Sequence, residues 1–112
     1  MVAPAAGSVV LMPFPFSDLS QTKLRPAVVL ADAGRGDWIL SQITSRPYAD
    51  ADAVSLRNDD FASGSLHLDS YARPGKLFTA HQSLLAAEAG KLKPESLDKV
   101  ISAVVRLLQP SA

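Results

Sequence analysis

Six apolar residues near the C-terminus, Leu97, Val100, Ile101, Val104, Val105 and Leu108, recur at the spacing of a helix laid against a core. Pro94 suits the first helical position. Glu95 sits where the helix dipole is positive and Arg106 where it is negative. Lys93 is a poor N-cap, so the start is soft, and Pro110 ends the element. Upstream, the apolar residues come in short β-prone runs. No strand–helix–strand alternation appears, which argues against a doubly wound parallel sheet. The chain therefore reads as mainly β, closed by one C-terminal helix.

Val9 to Phe16 predicts the first strand. Val10, Met12, Phe14 and Phe16 share one face, with Val9 and Leu11 opposite. Pro13 and Pro15 cannot donate ladder hydrogen bonds, so this strand must leave the sheet or run along its edge. Ser17 to Leu24 reads as a polar loop. Pro26 to Ala31 reads as a strand buried on both faces. Asp32 to Asp37 holds two glycines and predicts a hairpin turn. Trp38 to Ser45 is the next strand, with Ile39, Ser41, Ile43 and Ser45 on one face and Trp38, Leu40, Gln42 and Thr44 on the other. Arg46 to Gly64 is irregular, with a short strand expected near Ala53 to Leu56. Ser65 to Asp69 alternates as a strand, Leu66 and Leu68 against His67 and Asp69. Tyr71 to Gly75 reads as a turn and Lys76 to Ala80 as a strand. His81 to Leu92 fits either a helical turn or a strand edge.

With 112 residues the chain suits one domain, residues 1–112, with a loose start at 1–6. Its 47% hydrophobic content supports a folded core. The net charge of zero argues against coating nucleic acid by bulk electrostatics, though not against a local basic groove. The absence of cysteine removes disulfides, zinc–cysteine sites and a thiol nucleophile, and suits a cytoplasmic location. No apolar run approaches the roughly 20 residues that span a bilayer. No phosphate-binding glycine loop, HExxH or GxSxG occurs. With only His67 and His81, a metal site would lean on carboxylates; no cofactor and no metal are expected.

A set of short segments carries more information. GSVVLMPFPFSD spans residues 7–18, KLRPAVVL 23–30, SQITS 41–45, GSLHLDS 64–70, KLFT 76–79 and GKL 90–92. In this order and spacing they resemble the MazF/PemK toxins of type II toxin–antitoxin pairs, from about Gly7 to Leu108. The resemblance implies an SH3-like antiparallel β-barrel of the CcdB/PemK kind with a C-terminal helix. It also implies a sequence-specific, metal-independent endoribonuclease (an mRNA interferase). In such an enzyme the ribose 2′-hydroxyl attacks the adjacent phosphate of single-stranded RNA and leaves a 2′,3′-cyclic phosphate.

The family's arginine before proline falls on Arg25. A guanidinium stays charged and grips two phosphate oxygens; the plain alternative is a surface ion pair with Asp18. The family's threonine falls on Thr44, whose hydroxyl can bind a phosphate oxygen or merely satisfy nearby backbone. His67 and Asp69 fall where some relatives carry arginine and aspartate. They read either as a substituted catalytic pair or as two residues on a solvated face. Ser20, Lys23, Ser45, Arg46, Arg73 and Lys76 are candidates for substrate binding, with ordinary surface charge as the alternative for each cation. Trp38 reads as core or dimer interface.

The partners implied are single-stranded RNA, a second copy of the chain and a cognate antitoxin protein, with operator DNA reached only through the antitoxin and no membrane. The alternative is a barrel that acts by binding, either a CcdB-like gyrase poison or an SH3-like interaction module. The CcdB branch relies on an apolar, Trp-containing C-terminus, whereas this chain ends Gln109-Pro110-Ser111-Ala112.

Overall fold

The computed structural model describes residues 3–15, 22–46 and 50–110. Among them are seven strands, β1 (Ser8–Pro15), β2 (Thr22–Gly34), β3 (Asp37–Thr44), β4 (Val54–Leu56), β5 (Phe61–Gly64), β6 (Ser70–His81) and β7 (Ala87–Leu92), and one helix, α1 (Pro94–Leu108). The strands form one antiparallel sheet in the order β4-β6-β3-β2-β1-β7-β5. It curls into a nearly closed barrel. Val9, Val28, Ile43, Leu56, Phe61, Ala72 and Leu92, one from each strand, meet Val100 of α1 in a single buried cluster. Each of these side chains except Ala72 contributes about 1.5–3 kcal/mol by leaving water.

Strand alternation explains why a second cluster exists. Val10, Met12, Ala27, Val29, Leu40, Ala80 and Leu85 pack on the other side of the central strands, with Phe14, Trp38 and Phe78 half-buried against them. β2 is thus apolar on both faces, as its sequence requires. Trp38 belongs to this cluster, and its indole N–H reaches Gln82 Oε1 at 3.4 Å. β7 pairs with β1 only over Ser8–Leu11, so Pro13 and Pro15 lie where β1 is an edge. The β2–β3 hairpin turns on Arg35 and Gly36, at φ 57° and 83°. Two left-handed residues are what a two-residue hairpin matched to strand twist demands. The ring of His81 packs against Gly36, where a Cβ would lie 2.6 Å from Nε2.

Several expectations are corrected. β2 starts at Thr22, not Pro26. Residues 22–26 pair with β1 alone, so Pro26 sits on an edge stretch that tolerates it. Part of the supposed loose start is tied down: Pro4 is buried, and Ala5 N–H donates to Ser8 Oγ at 3.0 Å. Phe61–Gly64 is a strand within the stretch read as irregular. Residues 82–84 make one 3-10 turn and 87–92 a strand, which settles the ambiguous region.

Tyr71–Gly75 does not turn the chain. β6 runs through it with a bulge, since Ser41 pairs with Leu77 but Ile43 with Ala72. Pro74 is fully buried in that bulge, and Ser41 Oγ donates to Arg73 O at 2.6 Å. Ser65–Asp69 is not a strand. His67 has φ 63°, and beyond the bond from Ser65 N–H to Ala89 O the segment forms no strand ladder. In α1, Val100 and Ala103 are buried and Leu97, Ile101 and Val104 half-buried, but Val105 and Leu108 are 47% and 68% exposed. The helix outruns the sheet that covers it.

Candidate active site

The register of β2 and β3 builds the site. Their pairing stops at Ala27 opposite Gln42. Beyond that point β2 stays with β1, Arg25 lying opposite Met12, while β3 stays with β6, Thr44 lying opposite Tyr71. The two strands fork. Arg25 and Thr44 each stand two residues past the last pair, and side chains two apart share a face. The fork therefore presents both on the same side.

A cleft of about 480 Å³ opens there. Arg25, Gln42, Thr44, Ser45, Arg46 and Ser70 give it polar groups, and Leu11, Pro26, Ile43, Leu66 and Leu68 give it apolar ones. Thr44 Oγ1 accepts the N–H of Arg46 at 3.1 Å, which fixes the turn that brings Ser45 and Arg46 to the rim. The hydroxyl proton of Thr44 remains a donor. Two guanidinium groups and the hydroxyls of Thr44 and Ser45 around one concavity can hold an oxyanion such as a phosphodiester.

Other expected residues lie elsewhere. Lys76 lines an adjoining groove of about 390 Å³ with Met12, Pro13, Phe14, Leu77 and Phe78. Gln42 lines both cavities. Lys23 is exposed on β2 opposite Phe14, outside the cleft lining. Arg73 does not line the cleft: its Nε lies 3.8 Å from Asp50 Oδ2, and both side chains are largely buried. His67 and Asp69 are exposed and line neither cavity, because the strand that would have aimed them together does not form. Ser20 and Asp18 lie outside the described residues.

Gln42, Leu66, Leu68 and Ser70 were not foreseen as site residues. The signal for Gln42 was a polar side chain in the middle of an apolar strand. A roomier groove of about 620 Å³ lies between residues 51–54 and α1, but it holds none of the residues at the fork. Among the described residues, no three His, Cys, Asp or Glu side chains gather in a way that could hold a metal ion. No described helix is long and apolar enough to cross a membrane.

Residues 5–108 match the family model for the PemK-like, MazF-like toxin of type II toxin–antitoxin systems. The chain belongs to this toxin family. Solved structures of MazF proteins share the fold. MazE–MazF (Form-II) from Deinococcus radiodurans superposes with a TM-score of 0.76 at 22% identity, covering 99% of this chain and 100% of that one. An endoribonuclease in complex with its cognate antitoxin from Mycobacterial species gives 0.73 at 17% identity, covering 97% and 96%. The Mycobacterium tuberculosis toxin MazF-mt6 gives 0.70 at 16%, covering 91% and 96%. No curated protein sequence matches. The expected barrel with its C-terminal helix is thus the observed fold.

Proposed function

We propose that this toxin is an endoribonuclease that cuts single-stranded RNA without a metal, at the fork between β2 and β3. The observation that carries the reading is the convergence of Arg25 with Thr44, Ser45 and Arg46 on one cleft. In the proposed reaction the ribose 2′-oxygen attacks phosphorus and the P–O5′ bond breaks. The 2′-hydroxyl gives up its proton, the leaving 5′-oxygen gains one, and the products are a 2′,3′-cyclic phosphate and a 5′-hydroxyl. Negative charge builds on the non-bridging oxygens in the transition state. Arg25 binds them through its guanidinium, and the Thr44 hydroxyl donates to one of them. Preorganised donors of this kind are worth roughly 10- to 1,000-fold in rate each. Arg46 and Ser45 at the rim hold the strand on either side. His67 and Asp69, away from the cleft, take no part.

The proposal extends to the partners. The toxin works as a homodimer and is neutralised by a cognate antitoxin, which alone carries it to operator DNA. An endoribonuclease solved with its cognate antitoxin and a MazE–MazF structure, both among the fold neighbours, support the antitoxin.

The test is incubation of purified protein with long single-stranded RNA in EDTA, with fragment ends mapped and mass measured by light scattering. Cuts at a defined sequence, ending in cyclic phosphate and lost in Arg25→Ala, are expected from a dimer. A folded protein that leaves diverse RNAs intact would overturn the reading. A short open reading frame directly upstream is the expected source of the antitoxin.

A further inference from the structure

The cleft has two chemically different walls. Arg25, Thr44, Ser45 and Arg46, from β2 and the end of β3, make one of them cationic and hydroxyl-bearing. Leu66 and Leu68, with Leu11 of β1, make the other apolar. Leu66 is half-buried and packs on the main core, whereas Leu68 is 58% exposed and stands at the mouth. A phosphate group, hydrated and compact, gains nothing from such a wall. The cleft is also larger than a phosphate requires. Its roughly 480 Å³ falls among sites that take small organic molecules, about 300–1,000 Å³.

The loop that carries the leucines is held in place. Ser65 N–H donates to Ala89 O at 3.3 Å, and Ser65 Oγ to Asn58 Oδ1 at 2.6 Å. His67 N–H donates to Ser65 Oγ at 2.9 Å, and Ser70 Oγ to Leu68 O at 3.1 Å. The left-handed φ of His67 sets the bend between the two leucines. A pinned apolar surface in the same cleft as two guanidinium groups matches a ligand that is anionic at one end and flat and apolar-faced at the other. A nucleotide has that character: enzymes that hold a single base do so between aromatic or apolar side chains and polar groups that meet its edge.

We propose that Leu66 and Leu68 form a base-binding wall, and that Leu68 is a specificity-determining residue. The wall takes the face of the nucleobase whose phosphate rests on Arg25 and Thr44, and Gln42 and Ser70 lie within the cleft to meet the base edge. The proposal rests on the RNA reading of this cleft and adds to it the subsite that discriminates between bases.

The test separates the two claims. The four 2′-deoxynucleoside 3′-monophosphates, which lack the attacking hydroxyl, and deoxyribose 3-phosphate are titrated by NMR into wild type, Leu68→Ser and Leu68→Phe. Leu68 is exposed, so both variants are expected to keep the wild-type fold, checked by their spectra. At least one nucleotide should bind wild type about tenfold tighter than the sugar phosphate. Leu68→Ser should bring that ratio to within about twofold while sugar-phosphate affinity holds, and Leu68→Phe should restore it. RNA cut by Leu68→Ser should show a changed base at one position beside the scissile bond. Nucleotide and sugar phosphate binding wild type equally, or an advantage that survives in Leu68→Ser, would overturn the proposal. The wall would then fall to an apolar side chain of a protein partner. RNA cutting without any nucleotide advantage sinks the wall alone. A Leu68-dependent advantage without RNA cutting sinks the nuclease alone.

Discussion

The hydroxyl oxygen of Thr44 accepts the backbone N–H of Arg46 at 3.1 Å, so one side chain both shapes the rim of the cleft and offers it a donor. Both roles rest on one oxygen. Thr44→Ser keeps both and should cut RNA within a few-fold of wild type. Thr44→Val keeps the side chain's size but loses the oxygen, and with it both the acceptor for the Arg46 N–H and the donor. A hydrogen bond to a charged group is worth about 1.5–3 kcal/mol, so kcat/KM should fall by roughly 10- to 150-fold. Single-turnover rates on one RNA decide it; equal rates for Val and Ser would remove Thr44 from the chemistry.

His67 gives the contrasting expectation. It occupies a left-handed backbone position, exposed and outside the cleft. Asparagine tolerates that conformation well. His67→Asn should therefore cut within about twofold of wild type and show the same pH–rate profile. A lost limb in that profile would return the imidazole to the mechanism.

The cations differ in where they lie. Arg25 and Arg46 line the cleft, while Arg73 is joined to Asp50 away from it. Each phosphate neutralised on a single strand adds about 0.7 to the slope of log affinity against log salt. Arg25→Ala and Arg46→Ala should each lower that slope by about this amount. Arg73→Ala should leave it unchanged and instead cost about 0.5–3 kcal/mol in urea unfolding.

Gly64 of β5 lies opposite Gly90 of β7 at φ 68°. A Cβ on Gly64 would overlap the carbonyl oxygen of Ala89, and one on Gly90 would stand 2.6 Å from Ser63 O. Backbone cannot yield as a flexible side chain does. Gly64→Ala should lose about 3 kcal/mol or more, combining backbone strain with overpacking. Thermal unfolding measures it, and a midpoint within 2 °C of wild type, roughly half a kcal/mol at this size, would contradict the close approach.

What was legible from the sequence and what was not divide along a physical line. The faces of β1 and β3, the Arg35-Gly36 hairpin and the start of α1 follow from local periodicity and turn chemistry. SLHLD at 65–69 alternates as cleanly as any strand, yet alternation supplies no pairing partner. The hydroxyls of Ser65 and Ser70 satisfy nearby polar groups locally instead. Phe61–Gly64 has a single large apolar residue, too few to show a period. Pro74 signalled a break but is absorbed by a bulge, which only the pairing of β3 with β6 reveals. Likewise the meeting of Arg25 with Thr44 depends on where β2 and β3 part. Resemblance pairs those two residues without any register, but it does not place Leu68 in the same cleft.

The two walls of the cleft also differ in how freely they can change over evolutionary time. Arg25 and Thr44 sit on strands whose neighbouring positions, Ala27 and Ile43, are sealed in the core, so drift there endangers the whole molecule. His67, Leu68 and Asp69 are all exposed, and replacing them disturbs little that holds the barrel together. Descendants of such a chain can explore new side chains on one bank of the cleft while the opposite bank stays as it is.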